Sequence, residues 1–477
     1  MDIGRNIIAA TLAISLSACG GGGSNNSSGN NGAAPTPPST GGTCSLRSRQ
    51  DWAREQIEEW YLFPDLLDLS VDPAAFNNIN DYVDALVAPA RAQSRDRFFT
   101  YVTSIEEENA FFESGSSAGF GIRLGYDTSA NRVFVLEAFE NAPAFDNGFD
   151  RGTEILALGN TTATLEDVGT IMASEGPQGI VDRLGPSDAD VTRSFRIQDR
   201  NGGQLRTVRV AKADFALDPV SDRYGAQVIN DGGKPVGYIN LRTFIDTADN
   251  DLRTAYDAFR QEGVREVIVD FRYNGGGLVR TAELMGDLMG ADRVGSTFSF
   301  TRFRASKSEN NSTELFERAS QAIAPTKIAF IGRGGTASAS ELVANSFIPY
   351  LNDNTALIGT NTFGKPVGQI GLDRAACDDR LRVVAFQSEN VNGEGEYYTG
   401  LASVFPRTCE AADDITSQLG DSGEASVSAA LGFLRGETCN AIAGTNGEQG
   451  VRSAGSRQQL LQSARPTAAQ RETPGLF

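Results

Sequence analysis

Two short stretches of this 477-residue sequence hold residue types that could do chemistry together. Thr336-Ala337-Ser338-Ala339-Ser340-Glu341 offers hydroxyls in a small-residue turn, and Thr362-Phe363-Gly364-Lys365-Pro366-Val367-Gly368-Gln369 offers an amine. The protein contains no histidine, so a Ser-His-Asp triad and a histidine-ligated metal site are both excluded. A serine activated here must pass its proton to another base, and lysine is the base of the known variants. There are only five lysines, Lys212, Lys234, Lys307, Lys327 and Lys365, and arginine makes up the rest of the 42 basic residues. A guanidinium does not deprotonate in proteins. Lys365 alone sits in a Gly-rich turn shortly after a candidate nucleophile.

The serine stretch leads into Leu342-Val343-Ala344-Asn345-Ser346-Phe347, an apolar helical pattern. Its plain reading is a capping box, with Ser338 as N-cap and Glu341 three residues on. A helix N-terminus also presents unpaired amides, which can stabilise an oxyanion. Asn274-Gly275-Gly276-Gly277 is a second such place: either a tight turn, or a surface bare of side chains that a substrate backbone can approach. A catalytic reading requires the amides of both turns to meet above Ser338.

The elements that must position these residues follow from patterning. Residues 1–18 read as a secretion signal with an apolar core, Ile7 to Leu16, too short to span a bilayer. Leu16-Ser17-Ala18-Cys19 resembles the bacterial lipobox, which implies a lipid on Cys19; an ordinary signal peptide is the alternative. Residues 19–43 form a Gly/Ser/Pro tether. A chain so built is expected to be extracytoplasmic and held on a bacterial membrane. The formal charge of −19, with no basic cluster, argues against a nucleic-acid partner. The other cysteines, Cys44, Cys377, Cys409 and Cys439, allow three two-disulfide connectivities; Cys377 with Cys409 and Cys44 with Cys439 is the one favoured. Residues 44–113 read as a small helical cap, 114–213 as β-rich, 214–439 as layered α/β with alternating strands and helices, and 440–477 as a disordered tail.

The β-rich region opens on Gly119-Phe120-Gly121-Ile122 and, with its later turn at Gly152, resembles a PDZ domain. That resemblance implies that the amides of Gly119, Phe120, Gly121 and Ile122 receive a peptide's terminal carboxylate while the peptide adds a strand; the module as a mere structural lid is the alternative. The stretch Asp270-Phe271-Arg272-Tyr273-Asn274-Gly275-Gly276-Gly277, with the serine and lysine stretches in that order, resembles the signature motifs of the carboxyl-terminal processing (tail-specific) proteases over roughly residues 114–405.

The resemblance implies a crotonase-like (ClpP/crotonase-type) α/β core with an inserted PDZ-like domain. It also implies a Ser-Lys dyad endopeptidase without cofactor or metal that recognises C-terminal tails of protein substrates. Carried over residue by residue, Ser338 matches the nucleophile, Lys365 the base, Gln369 the residue that orients the lysine, and the amides of Gly276 and Ala339 the oxyanion hole. Ser340 is the rival nucleophile. Pro366 departs from the family's glycine, and the link between the serine and lysine turns is about two residues longer. A non-catalytic peptide- or ligand-binding relative and a metal-dependent hydrolase are the other readings, the latter disfavoured by the lack of histidine.

Overall fold

The computed structural model describes residues 44–443 and 458–477. The expected signal, Cys19 and the tether lie outside the described residues. The chain opens with α1 (Leu46–Trp60), α2 (Ile79–Leu86), α3 (Ala88–Ala92), β1 (Tyr101–Ser104) and α4 (Ile105–Ser114). A β-rich excursion follows: β2 (Ser116–Gly119), β3 (Ile122–Asp127), β4 (Arg132–Ala138), α5 (Pro143–Asp146), β5 (Glu154–Gly159), β6 (Glu166–Asp167), α6 (Val168–Leu184), β7 (Thr192–Gln198), β8 (Leu205–Ala211) and β9 (Ala213–Ala216). Next come β10 (Ala226–Asp231), β11 (Lys234–Asn240), α7 (Ala248–Gln261), β12 (Glu266–Asp270), α8 (Val279–Leu288), β13 (Thr297–Phe303) and β14 (Ser312–Leu315). The rest is β15 (Lys327–Gly332), α9 (Ala339–Leu351), β16 (Thr355–Gly359), β17 (Val367–Arg374), β18 (Asp379–Glu389), β19 (Thr408–Glu410), α10 (Ala425–Arg435), β20 (Gln458–Leu460) and α11 (Ala468–Glu472).

The central sheet runs β10-β11-β12-β15-β16-β19. All neighbours are parallel except β10, which pairs antiparallel with β11. Side chains alternate along its strands: Ile239, Val267, Val269 and Phe330 face α7, α8 and α9, whereas Tyr238, Ile268, Ile331 and Ile358 face α10. With both faces covered, β12 and β16 are buried at every residue, which is why their middles, Val267 to Val269 and Ala356 to Ile358, are apolar without alternation. The turns that leave β12, β15 and β16 at their C-terminal ends therefore lie side by side. They carry Asn274 to Gly277, Gly334 to Ser338, and Thr360 to Lys365.

A second sheet, β1-β18-β13-β14 with β17 also on β18, is antiparallel. The N-terminal residues are thus more than a helical cap: Tyr101 and Val102 pair with Arg382 and Leu381, and α1 and α2 share one apolar core with Val367, Leu381, Val383 and Val384. A third sheet, β20-β3-β4-β5-β7-β8, comes from the excursion, which leaves and returns through the β2–β9 ribbon.

Two expectations are overturned. The disulfides are Cys44–Cys377 and Cys409–Cys439, not Cys377–Cys409 and Cys44–Cys439. Arg374, three residues before Cys377, donates to the Ser48 carbonyl at 2.6 Å, which holds the 375–377 turn beside the start of α1. Glu410 N–H donates to the Asn440 carbonyl at 2.8 Å, which brings Cys439 beside Cys409. Residues 458–477 are not a disordered tail either. They form β20 and α11 and bury Leu461, Ala468, Leu476 and Phe477, because an unpaired strand edge and an apolar groove await them.

A buried ion network ties the central sheet to α10. Arg272 makes a bidentate contact with Glu424 at 2.9 Å and also reaches Asp270 and Asp413. Burial alone would push the Asp413 carboxyl up, yet Arg151, Arg333 and Arg272 hold it well below the usual carboxylate range. Removing one member strands the others without compensation. Arg272→Met is accordingly expected to lower the unfolding free energy by about 3–5 kcal/mol, read from denaturant titration.

Candidate functional site

Ser338 ends the turn after β15 and stands as N-cap of α9 with φ +55° and ψ −117°, a conformation costly for a residue with a Cβ. The side chain is left half-buried while its neighbours are covered. Ser340, the rival, is fully buried, and its hydroxyl donates to the Asn274 carbonyl at 3.1 Å. The geometry therefore presents Ser338 to a ligand and spends Ser340 on the adjoining turn.

Glu341 does more than cap a helix. Its buried carboxylate accepts from Ser338 N–H at 3.2 Å, Thr362 Oγ1 at 2.6 Å, Gly364 N–H at 2.7 Å and Lys365 N–H at 2.7 Å. One side chain thus bolts the serine turn to the lysine turn. Burial raises its pKa, and the hydrogen bonds from Thr362, Lys365 and Gly364, with the Arg97 charge, oppose the rise. The carbonyls of the lysine turn are held from the other side: Arg97 donates to Phe363 O and Gly364 O, both at 2.6 Å, and stacks over the Phe363 ring at 4.1 Å.

The Lys365 ammonium donates to Gln369 Oε1 at 2.8 Å and lies 5.0 Å from the centre of the Phe99 ring. Gln369 is itself anchored by donation from its amide to the Phe99 carbonyl. The loop carrying Phe99 is set by buried Asp96, which accepts from Phe99 N–H at 2.7 Å and Thr100 Oγ1 at 2.6 Å. Burial drives the Lys365 pKa below its ordinary value of 10.5; Glu472 and Asp96 push it back up, and Arg382 and Arg471 add to the fall. A cavity of about 820 Å³ adjoins the site, lined among others by Gly275, Gly335, Ala337 and Lys365.

The 274–277 turn packs closely against the serine turn. Gly276 has φ +120°, and a Cβ there would lie 2.7 Å from the Ser338 Cβ and 3.2 Å from the Ala339 nitrogen. Only glycine permits this approach. In this conformation the Gly276 N–H donates to Asn274 Oδ1 at 2.9 Å, so its amide is engaged within the turn. The stretch Gly119 to Ile122 joins the end of β2 to the start of β3: Gly121 N–H and Ile122 N–H both donate to the Phe477 main-chain oxygen, at 2.9 and 3.2 Å. Arg123 reaches from β3 to the Tyr273 carbonyl at 2.6 Å, which links that sheet to the 274–277 turn. Among the described residues no group of Cys, Asp and Glu side chains is arranged to hold a metal ion, and no helix is long and apolar enough to cross a membrane.

Sequence reading brought Ser338, Lys365, Gln369, Gly276 and Ala339 into one site. It missed Arg97 and Asn274 as positioning groups and took Glu341 only as a cap; an acid buried in an apolar helix was the available signal. Glu341→Gln replaces four accepted bonds with a group that has one acceptor oxygen and two donors of its own. At least one buried N–H then loses its partner, and unfolding is expected about 1–3 kcal/mol easier. Thr362→Val removes the donor to Glu341 and leaves the buried Leu401 N–H without its acceptor, and is expected to make unfolding about 1–3 kcal/mol easier in the same denaturation assay.

Residues 235–394 match the family model of peptidase family S41. The chain is 25% identical over 271 residues to carboxyl-terminal-processing peptidase 3 of Arabidopsis thaliana, covering 56% of this chain and 49% of that protein. Against the carboxy-terminal processing protease CtpA of Bacillus subtilis it is 23% identical over 309 residues, 63% of this chain and 58% of the relative. It spans about half the length of the first curated relatives it matches. A crystal structure from Bacteroides fragilis assigned to the S41 proteases shares the fold, with a TM-score of 0.61 at 22% identity over 81% of this chain and 97% of the other. All three signature stretches assemble around one cleft, and all lie within the stretch that matches peptidase family S41, in a chain similar to the carboxyl-terminal-processing peptidases.

Proposed function

We propose that the protein is a serine-type endopeptidase that uses a Ser338–Lys365 dyad on substrates recognised through C-terminal segments. The observation that carries this reading is the Glu341 bridge, which brings a strained serine and a lysine, both half-buried, into one unit. In the proposed reaction neutral Lys365 takes the Ser338 Oγ proton as the oxygen attacks a peptide carbonyl. The ammonium returns that proton to the departing amine as the C–N bond breaks, leaving an ester on Ser338. A water, deprotonated by the same lysine, then attacks the ester and releases the new carboxyl end, and the proton goes back to Ser338.

The Lys365 hydrogen bond to Gln369 keeps the amine facing one acceptor, so a side-chain rotation toward Ser338 accompanies activation. The oxyanion site is assigned to the amides of Ala339 and Gly276, and the latter has to exchange its Asn274 partner for the substrate oxygen. The β-rich insert is read as a PDZ-like module whose Gly119 to Ile122 loop receives the substrate's end, the parallel sheet as the crotonase-like core, and residues 44–113 as its helical flank. An extracytoplasmic setting with a lipid on Cys19 completes the proposal.

The test is hydrolysis of an unstructured protein such as casein. Ser338→Ala and Lys365→Ala are each expected to lose on the order of 10³-fold or more, while Ser340→Ala keeps the chemistry and loses stability. Full activity in Ser338→Ala overturns the assignment. The rate should rise with pH as Lys365 loses its proton and level off below pH 10.5, because its folded pKa is lowered. A limb at or above 10.5 removes Lys365 as the base.

A further inference from the structure

Residues 458–477 occupy the peptide edge of the third sheet and then cross the candidate cleft. β20 pairs antiparallel with β3, Gln458 opposite Asp127 and Leu460 opposite Gly125, and Leu461 N–H donates to Leu124 O at 2.9 Å. The chain then leaves the sheet for α11 and returns to the same edge. Leu124 N–H donates to Gly475 O at 2.8 Å, Phe477 N–H donates to Ile122 O at 2.9 Å, and Phe477 O takes the amides of Gly121 and Ile122. Every position of β3 that an added strand could use is therefore taken. The side chains anchor it as well: Phe477 lies in the apolar core that holds Phe120, Ile122 and Leu184, and Leu476 in the cluster of Phe111, Phe139 and Phe215.

The looped-out part, 462–474, lies over the catalytic turns. Gly275 N–H, next to the assigned oxyanion glycine, donates to the Glu472 carbonyl at 3.0 Å. A Cβ at Gly275 would come within 2.8 Å of Glu472 O and 2.9 Å of Arg471 O, so the segment sits closer to this turn than any other residue type allows. The Glu472 side chain is almost fully buried, and its carboxylate acts electrostatically on Lys365. Ala468 N–H donates to Glu107 at 3.0 Å, and Arg471 stacks on Tyr101 at 3.5 Å, so the segment is also fastened to α4 and β1.

We propose that residues 458–477 are a built-in occupant of the peptide site, holding the protein latent until a protein tail ending in bulky apolar residues displaces them. This rests on the peptidase reading above. The occupant blocks three things at once: the β3 edge, the approach to the 274–277 turn and the space beside Lys365. A competing tail must supply the same strand bonds and fill the Phe477 and Leu476 positions.

The experiment compares the full chain, a variant lacking residues 458–477, and the full chain with Leu476→Asp and Phe477→Asp. The probe is a fluorescein-labelled peptide of sequence 466–477, read by anisotropy, beside casein hydrolysis. The expected result is peptide binding to the truncated protein at least about tenfold tighter than to the full chain, because the site is no longer self-filled. Hydrolysis should rise by a similar factor on truncation and fall when the peptide is added back. Equal binding and equal rates in all forms overturn the proposal. Binding confined to the truncated form with no hydrolysis by any form supports the occupancy and overturns the peptidase reading instead. Thermal unfolding checks each variant; if truncation unfolds the protein, the double substitution, which keeps the backbone, decides on the same readouts.

Discussion

The site depends on one buried carboxylate. Glu341 stands on the first turn of α9 and accepts from the serine turn on one side and from Thr362, Gly364 and Lys365 on the other. A buried carboxylate is tolerated only when its lone pairs are filled, and here the donors are the backbone of the two turns that must stay in register. The same group that stabilises a helix end therefore sets the distance between the candidate nucleophile and base. Arg97 completes the clamp by taking the carbonyls of the lysine turn, so neither N–H nor C=O groups there are free to drift.

In the proposed mechanism the absence of histidine leaves the acid-base work to an amine whose ordinary pKa is far above neutrality. The fold answers with burial, the largest influence on Lys365, and with the nearby charges of Arg382 and Arg471, while Asp96 and Glu472 pull the other way. Asp96 belongs to the loop that orients Gln369 through the Phe99 carbonyl. Glu472 belongs to the segment that lies across the cleft. The balance of charge around the amine is thus tied to which peptide segment occupies the site.

Three sheets contribute to this small volume. Parallel β12, β15 and β16 deliver the glycine, serine and lysine turns to one edge because neighbouring parallel strands end on the same side. The antiparallel sheet carries Gln369 on β17. In the third sheet the outer side of β3 is filled by β20 and the residues that follow it, and Arg123 runs from β3 to the Tyr273 carbonyl, one residue before the glycine turn. Occupancy of that edge and the shape of the 274–277 turn are consequently in direct contact through one buried side chain.

Much of this was legible in the chain itself. The apolar runs of β12 and β16, the amphipathic α7 and the small-residue stretches around Ser338 and Gly276 follow from local periodicity and turn chemistry, which act over a few residues. The choice of Lys365 as base candidate needed only the lack of histidine and the scarcity of lysine. What tertiary structure alone decided involves partners far apart in sequence. Cysteine spacing says nothing of which thiols meet, so the pairings Cys44–Cys377 and Cys409–Cys439 depend on where α1 and α10 pack. The strand Tyr101–Ser104 exists because β18 offers an edge, and the Ser340 hydroxyl is taken up by the Asn274 carbonyl. Residues 458–477 are polar and small enough to read as disordered, and they order because β3 supplies backbone partners and the adjoining apolar clusters supply burial. Local sequence carries the chemistry, whereas long-range pairing determines which groups are free to perform it.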